Sequence, residues 1–183
     1  PELLSWSRHT FFDTASRLYN ADHHHLRQAH IGFLWTNVPN AKAMRTILAT
    51  AEMPMPRGSR WQRERELFQL SEWFGDKPDF LITVYAPFAA RADHATWCAL
   101  IEHELYHCAQ ARNKMGALRF STETGKPIWA MRGHDVEEFT GVLRRYGARA
   151  AGVLDFVAAA RKRPLIARAD IRGACGTCLA RAA

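Results

Sequence analysis

The stretch from Asp79 to Gln110 constrains this fold more than any other. "DFLITVYA" (Asp79 to Ala86) is rich in β-branched and aromatic residues and reads as the strongest strand in the chain. Pro87 ends it, because proline cannot donate to a ladder. Asp93 can then N-cap a long helix, expected to run to Gly116. A strong strand followed by a long helix implies a sheet with a helix packed on it.

That helix divides into faces at about 100° per residue. Trp97, Cys98, Ile101, Leu105, Cys108 and Ala109 gather on one side as a core stripe. His103 and His107 share a different face, flanked by Leu100 and Glu104, while Glu102 and Tyr106 take the remaining arc. Imidazoles at i and i+4 can bind one Zn²⁺ from a single helix face. Such an ion lowers the pKa of water to about 7. Glu104 stands three residues before His107, ill-placed as a ligand but suited to take a proton from an attacking water. The pattern H-E-x-x-H arises in roughly 2% of shuffled chains of this composition, so its helical setting carries more weight than the match. The competing reading is a pair of solvent-facing histidines.

A catalytic zinc needs a third protein ligand and an open position. The short metzincin pattern would place Gly at 110 and His at 113, where this chain has Gln110 and Asn113. Downstream, "RGHDVEEFTGVLRRYG" reads as a helix beginning near His134 and ending near Gly147. Val136, Phe139, Leu143 and Tyr146 give its core face, with His134 opposite. His134 is the favoured third ligand and Glu138, one turn on, its rival. Asp135 can orient a ligand imidazole, whereas Glu137 reads as a complement to the helix N-terminus.

Elsewhere, "SWSRHTFFDTASRLYN" has helical spacing with Trp6, Phe11, Leu18 and Tyr19 as anchors. "IGFLWT" (Ile31 to Thr36) is a strand with "MRTILATA" as its expected partner. "WQRERELFQLSEWF" reads as an amphipathic helix with Trp61, Leu67, Phe68 and Trp73 near one stripe. "HHHLRQAH" (His23 to His30) reads as an exposed polar stretch. An Ala-rich helix is expected to end near Arg163, before Pro164.

The expected organisation is one domain over 1–163 and a basic tail over 164–183 that carries Cys175-x-x-Cys178. That pair is half of a zinc-ribbon site, with no second pair after it; idle thiols, a disulfide and a structural zinc all stay open. The four cysteines do not form the framework of a small secreted domain, so a cytoplasmic setting is expected. No apolar run is long enough for a membrane span. The chain opens at Pro1, not methionine, so upstream sequence is expected. Net charge is +7, and residues 144–183 hold nine basic and two acidic side chains. This placement suits DNA or another acidic surface, or else a solvated basic helix and tail.

"DFLITVYA", "ALIEHELYHC" and "GHDVEEFTGVLRRYG", in that order, resemble the phage metallopeptidase family, and more distantly the SprT-type zincins. The likeness covers 79–147 well and the N-terminal third loosely. It implies His103, His107 and His134 as metal ligands and Glu104 as general base. SprT-type relatives include proteases that act on proteins crosslinked to DNA. The expected fold is α+β and zincin-like, a small sheet against the central helix, with a mostly helical C-terminal half. The expected activity is zinc-dependent peptide hydrolysis, with a protein or peptide as substrate. Two alternatives stand beside it: a nucleic-acid-binding protein with a structural zinc, and a metal-dependent hydrolase of a non-peptide bond.

Overall fold

A computed structural model describes residues 2–42, 45–136, 140–150, 153–169 and 174–175. In chain order the elements are α1 (Glu2–Ser7), a π-helical turn (Arg8–Phe12), a 3-10 helix (Ala21–Gln28), β1 (Ile31–Thr36), β2 (Ala41–Lys42) and β3 (Arg45–Glu52). There follow α2 (Arg60–Phe74), β4 (Phe80–Tyr85), α3 (Ala86–Ala89), α4 (His94–His107), β5 (Cys108–Gln110) and β6 (Trp129–Met131). The chain closes with α5 (Thr140–Ala150), α6 (Leu154–Ala160) and β7 (Ala174–Cys175). The protein is α+β, with a small mixed sheet and several helices. No helix among the described residues is long and apolar enough to cross a membrane. Two compact units emerge, one formed by Pro1–Arg132 with Ala169–Ala183 and the other by Gly133–Arg168.

In the first unit the sheet order is β1-β4-β3-β2, and β7 also pairs with β3. The strand expected to be strongest, β4, is the centre of this sheet. It runs parallel to β1 from Ile31↔Phe80 to Thr36↔Tyr85 and antiparallel to β3. The "MRTILATA" segment therefore pairs with β4 and not with β1. Alternation sends Phe80, Ile82 and Val84 to one sheet face, where α4 supplies Ile101 and Leu105. All five are fully buried or nearly so, each worth about 1.5–3 kcal/mol of burial.

Three helical expectations are corrected. The N-terminal helix ends at Phe12, because Asp13 turns extended, although Phe11 is buried as expected. The α2 helix forms with a Ser59–Gln62 capping box, but only Leu70 is buried along it. Trp61, Phe68 and Trp73 are exposed. Four charged residues between Arg63 and Glu66 separate the apolar positions and leave no continuous stripe. Third, α4 stops at His107 instead of continuing to Gly116. Cys108 becomes extended and β5 pairs antiparallel with β6, Cys108↔Met131 to Gln110↔Trp129. Arg112 stands where the stripe next calls for an apolar residue, and the backbone finds its partners in a ribbon instead.

In the second unit, His134–Val136 is not helical and the described helix begins at Thr140. Gly147 (φ 83°) interrupts α5, a left-handed conformation that glycine adopts without a Cβ penalty. This is close to the expected end of that helix.

Candidate metal centre

The start of α4 is fixed by Asp93. Its Oδ1 accepts from the Thr96 amide at 2.8 Å and its Oδ2 from the Thr96 hydroxyl at 3.0 Å. The amide bond, then the hydroxyl, holds the Asp93 carboxyl below its ordinary range. Cys98, Leu100, Ile101 and Leu105 anchor the helix in the core. One turn apart on another face, His103 and His107 bring their Nε2 atoms to 3.3 Å.

His107 is only 2% exposed and doubly tied to Arg132. Its Nδ1 donates to the Arg132 carbonyl at 2.7 Å, and the Arg132 amide donates to the His107 carbonyl at 2.9 Å. A proton on Nδ1 leaves a lone pair on Nε2, the tautomer a metal ligand needs. Two nitrogens at about 2.0–2.1 Å from a tetrahedral ion lie roughly 3.3 Å apart. The observed separation fits a metal in that place.

Glu104 and His107 are buried and His103 is partly buried, so the motif is not a pair of solvent-facing histidines. Burial first, and the Glu104 charge second, push the Cys108 thiol well up. It stays protonated and donates to the Glu104 carbonyl at 3.5 Å, so it is not a thiolate ligand.

Of the expected ligands, His103 and His107 are brought together in the first unit, and His134 is the second residue of the other unit, exposed. Glu137 and Glu138 lie outside the described residues, as does Cys178. Cys175 lies in β7 against β3.

Sequence reasoning missed the Arg132 carbonyl, because a backbone acceptor carries no residue signature. It also missed a polar cluster on the other flank of α4. His23 is 1% exposed, not part of an open polar stretch, and its ring meets Tyr106 edge-on at 4.6 Å between centroids. Asn20 Nδ2 donates to Glu102 at 2.8 Å and to the Tyr106 hydroxyl at 2.7 Å. The Tyr106 hydroxyl donates to Asp22 at 3.1 Å, and His23 Nε2 lies 3.7 Å from Glu102. Burial alone would raise the Glu102 carboxyl, but the His23 and Asn20 contacts together hold it lower. The signal available in "HHHLRQAH" was spacing: His23 and Leu26, three residues apart, form the buried face of the 3-10 helix.

No curated protein and no solved structure matches the chain significantly. Residues 4–161 match the family described as "Putative phage metallopeptidase", whose name indicates a metal-dependent peptidase. A match over most of the chain, with two imidazoles poised at metal-ligand spacing inside it, means that this protein belongs to the phage metallopeptidase family.

Proposed function

We propose that this protein is a zinc-dependent peptidase of zincin-like fold, with His103, His107 and His134 as ligands and Glu104 as general base. The observation that carries the reading is the 3.3 Å Nε2 pair, with His107 locked in the ligand tautomer by Arg132. His134 follows Arg132 by two residues, a reach of at most about 7 Å of chain. Those three histidines also make up a group that could hold a metal ion. When bound, the ion supplies Lewis-acid polarisation of the scissile carbonyl and acidifies water.

The protein's own groups do the remainder. Glu104 takes the proton of the attacking water and passes it to the leaving amine. Its full burial keeps bulk water away from the carboxyl that handles this proton. The Arg132 carbonyl holds the His107 proton on Nδ1 throughout. Among the described residues β1 pairs only with β4, which leaves a sheet edge that an extended substrate can join.

Metal content, measured on purified protein, tests the assignment. The wild type and Glu104→Gln are expected to carry one zinc equivalent, and His103→Ala and His134→Ala to lose it. Glu104→Gln is expected to lose at least about 10²-fold in peptide turnover. Retention of a full equivalent by both histidine variants overturns the site; loss in His103→Ala alone moves the third ligand to Glu138.

The concentration of positive charge in residues 144–183 favours a second reading, binding of DNA or another acidic surface next to a structural zinc. Under that reading Glu104→Gln keeps full function, and binding falls steeply with salt. Substrate profiling separates a peptidase from a hydrolase of other bonds.

A further inference from the structure

We infer that the β1 edge docks an extended peptide by its alternation, taking an acidic side chain on one face of the sheet and an apolar one, at the next position, on the other. This rests on the proposed use of that edge by an extended substrate and deepens it by naming the side chains selected.

β1 lies parallel to β4, with Leu34 opposite Thr83 and Trp35 opposite Val84. Neighbouring strand residues point to opposite faces, so Leu34 and Trp35 stand on different sides of the sheet. Each lines a groove. Trp35 is 53% exposed and stacks on Trp97 of α4, with 5.7 Å between centroids and 14° between planes. Trp6 packs against Trp97 in turn, at 5.9 Å. With Ala86 and Ala89 of α3, the Trp35 and Trp97 indoles line a groove of about 620 Å³ whose one titratable side chain is His94. Leu34 lines a groove of about 700 Å³ between the other face of the sheet and α2. Leu81 and the half-exposed Trp73 give it apolar surface. Arg57 and Arg65 line it too, against a single carboxylate, Glu66. Among the described residues neither guanidinium has an ion-pair or hydrogen-bond partner.

A peptide strand joining β1 continues this geometry. Main-chain bonds to the edge supply affinity, while its side chains alternate between the two grooves. The residue beside Trp35 meets indole faces and alanine methyls, which suit an aliphatic or aromatic side chain. The next residue falls on the Leu34 side, where an unpaired guanidinium favours a carboxylate as its bidentate partner. An acid on the Trp35 side would find no guanidinium or ammonium in the lining. The spacing of the two side chains therefore matters as much as their presence.

The test measures fluorescence anisotropy of end-blocked, labelled peptides on full-length, zinc-loaded Glu104→Gln, so that bound peptide is not consumed. A peptide with Glu and Leu at adjacent positions should bind roughly 10-fold or more tightly than its Gln counterpart. It should exceed by a similar factor a peptide of the same composition with Glu and Leu two positions apart, which puts both on one face. Adding Arg57→Ala and Arg65→Ala together should remove the preference for Glu over Gln and keep that for Leu over Ser. Trp35→Ala should do the reverse, so each variant controls for the folding of the other. N-methylation of alternate peptide amides should abolish binding in one set of positions and spare the other, as ladder pairing requires. Equal affinity for all patterns, or an acid preference that survives loss of both arginines, overturns the inference. A dimer that Trp35→Ala dissociates also overturns it and assigns the edge to a second copy of the chain. Turnover by the wild type separates this inference from the peptidase reading. Patterned binding with no peptide cleaved supports the docking edge and removes the peptidase. Cleavage indifferent to the pattern and to Arg57, Arg65 and Trp35 overturns the docking edge and keeps the peptidase.

Discussion

His25 sets a pH dependence that a single substitution can expose. Its Nε2 donates to the Cys108 carbonyl at 2.9 Å, tying the 3-10 helix to the first residue after α4. Burial is the main cause that lowers its pKa below 6.5; His23 and Arg112 lower it further, and the Cys108 bond opposes them. The unfolded chain therefore takes up a proton at His25 before the folded protein does. This contribution to stability is complete above pH about 6.5 and is lost as pH falls from there through the folded value. Chemical denaturation of the wild type and His25→Gln across pH 5–8 should show the wild type weakening more steeply on the acid side. Parallel curves would remove His25 as the cause. At this scale the sequence was informative about type and spacing but not about burial. The i, i+4 rule put His103 and His107 on one face correctly. It could not tell that Glu104 lies out of water, because burial is set by packing from elsewhere in the chain and not by spacing along the helix.

Elements differ in how far local chemistry decides them. β4 and β1 were legible because β-branched and aromatic runs between turn residues have few other uses. The end of α4 was not, since Cys108 leaves the helix for a strand partner that no local pattern announces. The docking of α2 is governed by a close approach at Gly32, where an added Cβ would meet the Phe74 ring and Leu81 Cδ1, each at 3.0 Å. Phe74 is the last residue of α2 and Gly32 lies in β1, so this contact brings the helix against the sheet. Gly32→Ala should therefore destabilise by about 1–3 kcal/mol through overpacking. Gly141, inside α5 with nothing within 4 Å of an added Cβ, is the contrast. Gly141→Ala should stabilise by about 0.5–1 kcal/mol by removing backbone freedom in a helix. Urea midpoints of the two variants, measured together, check the opposite signs. A neutral Gly32→Ala would mean that α2 shifts freely along the sheet.

For the molecule as a whole, the decisive quantity is how strongly the metal and the folded state depend on each other. The three proposed ligands come from two stretches of chain, one within α4 and one after β6, so the folded protein offers a site that the unfolded chain lacks. A ligand that binds only the folded state adds about 2.7 kcal/mol at a free concentration 100 times its Kd. For a protein of this size that corresponds to roughly 5–11 °C in Tm. Thermal unfolding with zinc should lie that much above unfolding with a chelator, reversibly on re-addition of metal. His103→Ala should abolish the difference, because the two remaining ligands, His107 and His134, cannot hold the ion against chelation. Glu104→Gln should preserve it, since a general base outside the ligand set contributes to turnover and not to metal affinity. A zinc-dependent Tm shift that survives His103→Ala would point to a different site, and Cys175 with Cys178 would be the first to substitute. The comparison thus separates a catalytic centre built on α4 from a structural zinc near the C-terminus, without relying on any assay of peptide cleavage.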